Sequence, residues 1–276
     1  MEQMSQTQQS LIDAIDPEIM ETVVTRHDEI AKGASVSGPV AAMLALGSIP
    51  IALGILSQEA YGQTPTDVLE VLQFALLLEY LESDFYARGV AAAGLIPAAD
   101  LPLFQAISAH ETAHVTALQG LITAKGGTPS TKPTFDYTAK GNVPGFNFGA
   151  TQYPTFQVLA HAFEDTGVRA YKGQAGRLIN DKAVLTAALT IHSVEARHAS
   201  EIRRLRGKKG WITGNSRDDL PAFTQGIYDG EDNTTHAGVD FTSLGTGNGG
   251  SASLTEAFDE PLTKAQVTAI ILPFLP

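Results

Sequence analysis

Two short segments of this chain place a histidine three residues after a glutamate: HETAH at 110–114 and VEARH at 194–198. Side chains three apart on a helix share a face, with Cβ atoms about 5–6 Å apart, so each carboxylate and imidazole can serve the same metal ion or metal pair. With 15 glutamates and 7 histidines in 276 residues, chance supplies about 0.4 such pairs, so one would mean little. Two in register mean more. Glu79 lies 32 residues before Glu111, and Glu164 lies 31 residues before Glu195. Each of these isolated glutamates is followed seven residues later by a tyrosine, Tyr86 and Tyr171. The pattern is an internal repeat of about 85 residues, as expected of two helical hairpins facing each other across a pseudo-two-fold axis. Glu79, Glu111, His114, Glu164, Glu195 and His198 are therefore the candidate metal ligands. Tyr86 and Tyr171 are the candidate catalytic side chains.

The helical neighbours of these glutamates are apolar: Leu72 and Ala75 beside Glu79, Phe104, Ile107 and Leu118 beside Glu111, Ala160 and Val168 beside Glu164, and Ala188 and Ile191 beside Glu195. A carboxylate buried without a partner is costly or takes up a proton. Four on one core call for cations, and two divalent ions would leave the site formally neutral. Plainer readings stand beside this one. A lone Glu-x-x-His is commonly a solvated helix face, and a tyrosine on an amphipathic helix is commonly core. Glu82, one turn from Glu79, can replace or supplement it, but Glu79 alone matches the Glu-to-Tyr spacing of the other hairpin. His110 should point away from its neighbour Glu111 and reads as structural. His161 and His192, each three residues before a candidate ligand, are more commonly structural but are candidates for an extra ligand or a donor to one, and Asp165 and Arg197 are candidates to orient ligands.

Four helical segments must position these groups. The first opens near Asp67 and runs to about Ala93; the second opens at Asp100 or a neighbour and runs to about Lys125, where Gly126-Gly127 stops it. Pro154 opens a third, to about Asn180, and a fourth runs from Asp181 to about Arg206. The connections are short, long, short, the arrangement of two helical hairpins joined by a crossover.

The flanks differ. Asp16-Pro17-Glu18 signals a helix start, and an amphipathic stretch with Ile19, Met20, Val23, Val24 and Ile30 runs to Gly33. No residue from Gly33 to Gln58 is charged. That stretch is long enough to cross a bilayer, but Pro39, Pro50 and its glycines suit it better to an export signal's apolar region. Thr25-Arg26-His27-Asp28-Glu29-Ile30 is a degenerate twin-arginine motif, and Ala60-Tyr61-Gly62 has the form of a cleavage site. Beyond Trp211 the chain turns to Gly, Asn, Thr and Asp, and reads as an irregular cover finished by a short helix with Val267, Ile270, Ile271, Leu272 and Phe274. The domains are thus 1–62, an amphipathic helix and apolar signal-like segment; 63–210, the four-helix bundle; and 211–276, the C-terminal extension. A formal charge of −12 argues against a nucleic-acid binder. The basic run Arg203, Arg204, Arg206, Lys208 and Lys209 is explained by the dipole of the helix it ends. The absence of cysteine excludes thiolate metal sites, iron–sulfur clusters and disulfides.

The residues quoted resemble a known family. LEYLESDFY at 78–86, HETAH, FED at 163–165 and VEARH are similar to the ferritin-like domain of the bacterial and plant desiccation-related proteins. So are the degenerate leader, GEDNTT at 230–235 and FDEPLTK at 258–264. The resemblance implies an all-α fold, a ferritin-like four-helix bundle with N-terminal apolar segment and C-terminal cover. It also implies a centre of two iron or two manganese ions on the six ligands, although Val194 stands where many di-iron sites carry an aspartate. The expected chemistry is redox handling of peroxide or oxygen in stress protection, ferroxidase-like or manganese-catalase-like. The alternative is a structural, assembly-forming envelope protein with a stabilising or vestigial metal site. Expected partners are metal ions, further copies of the chain in a homo-oligomer, and a membrane or neighbouring subunit through residues 36–57. The expected location is the cell envelope or periplasm, with the cytoplasm as alternative.

Overall fold

A computed structural model describes residues 68–276 except 237, 246 and 248, and all of these fall in one compact unit. The readings made for residues 1–62, and the cap at Asp67, lie outside the described residues. Four long helices dominate: α1 (Val68–Ala91), α2 (Leu101–Ala124), α3 (Tyr153–Ala175) and α4 (Lys182–Leu205). The chain is all-α in architecture, a four-helix bundle. Hairpin partners α1 with α2 and α3 with α4 pack most extensively, and the hairpins meet where α1 lies on α3 and α2 on α4.

The helix ends follow from local chemistry. Gly126 takes φ +79° and ends α2, with Gly127 N–H donating to Ile122 O and Gly126 N–H to Thr123 O. The Asp181 carboxylate accepts from Val184 N–H and starts α4. Asp100 does stand before α2, but its side chain makes no cap bond. It accepts from the Tyr153 hydroxyl at 2.6 Å instead, so it joins the starts of α2 and α3. The third segment ends earlier than its sequence suggests: α3 stops at Ala175 and a 3-10 turn, Gly176–Leu178, carries the chain toward α4.

The crossover between hairpins packs aromatic residues onto the bundle. Phe146 and Phe148 stand against Phe85, and Tyr137, also against Phe85, donates to Leu81 O at 2.8 Å. The C-terminal extension holds a 3-10 turn Ala222–Ile227, a two-stranded hairpin β1 (Thr235–His236) and β2 (Val239–Asp240), and three short helices, α5 (Thr242–Gly245), α6 (Ser251–Thr255) and α7 (Lys264–Ile271). A capping box opens α7, with Thr263 and Gln266 bonding reciprocally. Val267, Ile271 and Phe274 enter the bundle's core as their apolarity demands, whereas Leu272 is 55% exposed. No helix among the described residues is long and apolar enough to cross a membrane.

Two devices fasten this extension to α3. Arg169, almost wholly buried, donates to Glu260 O and Asp229 O and pairs with Glu231 at 2.7 Å. Gly173 lets the chain at Leu262 lie directly on the helix, since a Cβ there would fall 1.8 Å from the Leu262 carbonyl oxygen. Alanine normally favours a helix over glycine by about 1 kcal/mol. Here Gly173→Ala is expected to lower stability by about 2–3 kcal/mol, because backbone must move. Thermal unfolding checks this, and a raised Tm would contradict it.

Candidate metal centre

The apolar faces of the four helices turn the glutamates inward at mid-bundle. Glu79, Glu111, Glu164 and Glu195 are all fully buried, and His114 and His198 are nearly so. Their donor atoms form two overlapping groups whose members lie within 4.8 Å of one another: Glu79, Glu111, His114 and Glu195, and Glu111, Glu164, Glu195 and His198. Glu111 and Glu195 belong to both groups. Each group adds its own glutamate from the first helix of a hairpin and one imidazole.

The imidazoles enter through Nδ1. His114 Nδ1 faces three carboxylates, at 3.2 Å from Glu79 Oε2, 3.2 Å from Glu111 Oε2 and 3.0 Å from Glu195 Oε1. A single N–H cannot serve three oxygens. His198 Nδ1 lies 2.8 Å from Glu111 Oε1 and 3.4 Å from Glu164 Oε2. These approaches lie off the N–H direction, so His198 Nδ1, Glu111 Oε1, Glu164 Oε2 and both Glu195 oxygens lack a hydrogen-bond partner. Buried polar atoms without partners, converging on shared points and drawn from a carboxylate and imidazole set, fit a pair of cations.

The two tyrosines cross between hairpins. Tyr86 on α1 donates to Glu164 Oε1 on α3, and Tyr171 on α3 donates to Glu79 Oε1 on α1, each at 2.5 Å. Each hydroxyl thus ties one oxygen of the glutamate that belongs to one group alone. Burial, then the neighbouring carboxylate, holds both phenols far above the usual range, so they stay protonated donors. Phe85, Phe104 and Phe156 surround Tyr86.

The residues around the cluster divide by the partners they meet. His110 does not stand apart: its Nδ1 lies 2.9 Å from His198 Nε2, the rings are nearly parallel, and its own edge is exposed. The side chain preceding Glu111 points sideways, and there α4 presents His198. If His198 Nδ1 faces a cation, its Nε2 carries the proton and His110 accepts it. Glu82 is also buried against the cluster, with Oε2 unpartnered. His161 belongs elsewhere, contacting Asp165, Arg203 and Arg206, and Asp165 accepts from Arg203 and from the Tyr228 hydroxyl. Neither orients a cluster ligand directly. His192 Nε2 has no partner but stands in neither group, and Arg197 is exposed.

Residues 67–208 match the family model for the ferritin-like domain, just over half of the chain. The protein belongs to the ferritin-like family. No curated protein gives a significant match to it. The matched span of this ferritin-like protein contains all six clustered residues, both tyrosines and the four long helices.

Electrostatics set the pH behaviour of the metal-free cluster. Burial pushes Glu79 up to about 8, and burial and neighbouring carboxylates hold Glu195 well above its ordinary value. Burial opposes charge on His114 and His198, but the carboxylates around them prevail and raise them to about 12 and about 11. Burial also resists ionisation of Glu111, yet the two histidines facing it bring it down to about 2. A raised folded pKa, for an acid or a base, means stability lost as pH rises toward that value; the depressed Glu111 acts only below its ordinary value. Above pH 6.5 these shifts therefore act together. The Tm of the chelator-treated protein is expected to fall steadily from pH 6.5 to pH 9, and a flat or rising Tm in a pH series would contradict this.

Proposed function

We propose that the protein binds two iron or two manganese ions at this cluster and uses them in redox reactions of peroxide or dioxygen. The supporting observation is the doubled donor group, with Glu79 and His114 at one end, Glu164 and His198 at the other, and Glu111 and Glu195 common to both. One imidazole per ion and otherwise carboxylate oxygen, with no cysteine in the chain, suits iron or manganese better than copper. Such a pair supplies reversible electron transfer and a Lewis-acidic binding position for an oxygen species.

The chain's own residues would do the rest. Tyr86 and Tyr171 fix the end carboxylates and leave their remaining oxygens for the cations. Burial of the four glutamates keeps bulk water away, and His110 holds the outer proton of His198. A cavity of about 20 Å³ between Leu72, Ala75, Leu118 and Tyr171 has room for about one water-sized molecule. We read the finer kinship as that of the desiccation-related proteins, and the cell envelope as the site of action from the uncharged segment at 33–58.

Metal analysis by mass spectrometry on protein purified without chelators tests the reading. About two ions per chain are expected, and the Glu111→Ala, Glu195→Ala double variant is expected to lose them while keeping its helical circular dichroism. No metal in the parent from replete medium would sink the proposal. A metal-loaded protein inert to both peroxide and dioxygen would favour the structural alternative, with the centre as a staple. Separately, His110→Ala is expected to weaken metal binding about 10–100-fold, measured by competition with a chelator; unchanged affinity would assign His110 to surface packing alone.

A further inference from the structure

The repeat that relates the two hairpins breaks at Glu82, beside the cluster. With Glu79 set against Glu164 and Tyr86 against Tyr171, Glu82 of α1 corresponds to Gly167 of α3. The two are complementary in space. A Cβ on Gly167 would stand 3.1 Å from Glu195 Oε2 and 3.3 Å from Glu82 Oε1, so these two carboxylates occupy the room that a side chain at 167 would take. Glu82 is 4% exposed, and its Oε2 has no hydrogen-bond partner. Burial and then the charge of Glu195 push it well above the ordinary carboxylate range. A fifth glutamate in a core that already holds four is expensive to keep without a cation to receive it.

We propose that Glu82 is a fifth carboxylate ligand of the metal pair, entering on the Glu195 side through the gap left by Gly167 and making the two halves of the centre unequal. This rests on the metal-binding reading given above. Four carboxylates balance two divalent ions; five leave one negative charge in excess. The donor set then holds a divalent ion with a trivalent one better than two divalent ions. A redox-active pair is thereby biased toward its oxidised form.

Two variants of the full chain, E82Q and G167A, test this by titration with ferrous or manganous ion alone and by potentiometry of the iron-loaded protein. The parent is expected to take up two ions. E82Q keeps the shape of the side chain but loses its charge, and is expected to bind one of the two ions about tenfold or more weakly. Its potential should move to a more positive value, with the metal-free Tm not lowered. G167A favours the helix yet crowds both carboxylates, so it is expected to keep or raise the metal-free Tm while weakening metal binding. An E82Q protein that binds both ions with the parent's affinity at the parent's potential overturns the proposal and leaves the six-residue centre standing. If E82Q fails to fold, G167A decides: unchanged affinity there overturns the proposal. A parent that binds no metal overturns this inference together with the reading beneath it.

Discussion

Carboxylates repel one another, and a protein interior amplifies the repulsion by withholding water. Four glutamates meet at the centre of this bundle with a fifth beside them, and the polar groups among them cannot satisfy one another. His114 offers one N–H to three oxygens, and His198 has two oxygens near its Nδ1 and bonds neither in line. Such a constellation does not form by its own preference. It is imposed by helices whose other contacts are favourable, and much of the structure can be understood as those contacts: an aromatic wall around Tyr86, aliphatic packing around Tyr171, and a C-terminal extension bound across α3.

The two hairpins share the strain by near-symmetry. Tyrosines cross from each hairpin to the other's glutamate, so neither terminal carboxylate is left without a donor. Where the symmetry fails, it fails at positions that alter the surroundings of the cluster. His110 reaches His198, whereas Val194, its counterpart before Glu195, carries no polar group to return the contact. Glu82 faces Gly167, a carboxylate opposite an absent side chain. Two donor groups that the repeat would make equivalent thus become distinguishable.

Away from the cluster, charge has a different task. The basic run at the end of α4 does more than complement a helix dipole. Arg203 pairs with Asp165 and Asp218, Arg206 and Lys208 with Asp219, and Lys209 with Glu256. These pairs bind the extension to α3 and α4. They also help explain why α3, which carries Asp165 and Arg169, is buried on nearly every side. Its Asp165 and Arg169 meet partners that lie far along the chain, so neither charge is buried unpaired.

Periodicity and motif spacing were enough to specify four helices, their short-long-short connections, and the face that carries each glutamate, because these depend on neighbours within a few turns. The six clustered residues and two tyrosines were legible for the same reason: one repeat, read twice, sets them on corresponding faces. The contact of His110 with His198 was not legible because that partner lies 88 residues away, and the direction away from Glu111 is not the direction away from α4. The crossing of the tyrosines, the pairing of Arg203 with Asp165, and the exposure of Leu272 were likewise settled by packing between distant segments. The sequence determined which side chains each helix would present. Only the tertiary structure decided which of them would meet, because a helix's own period says nothing about the neighbour against which its face will close.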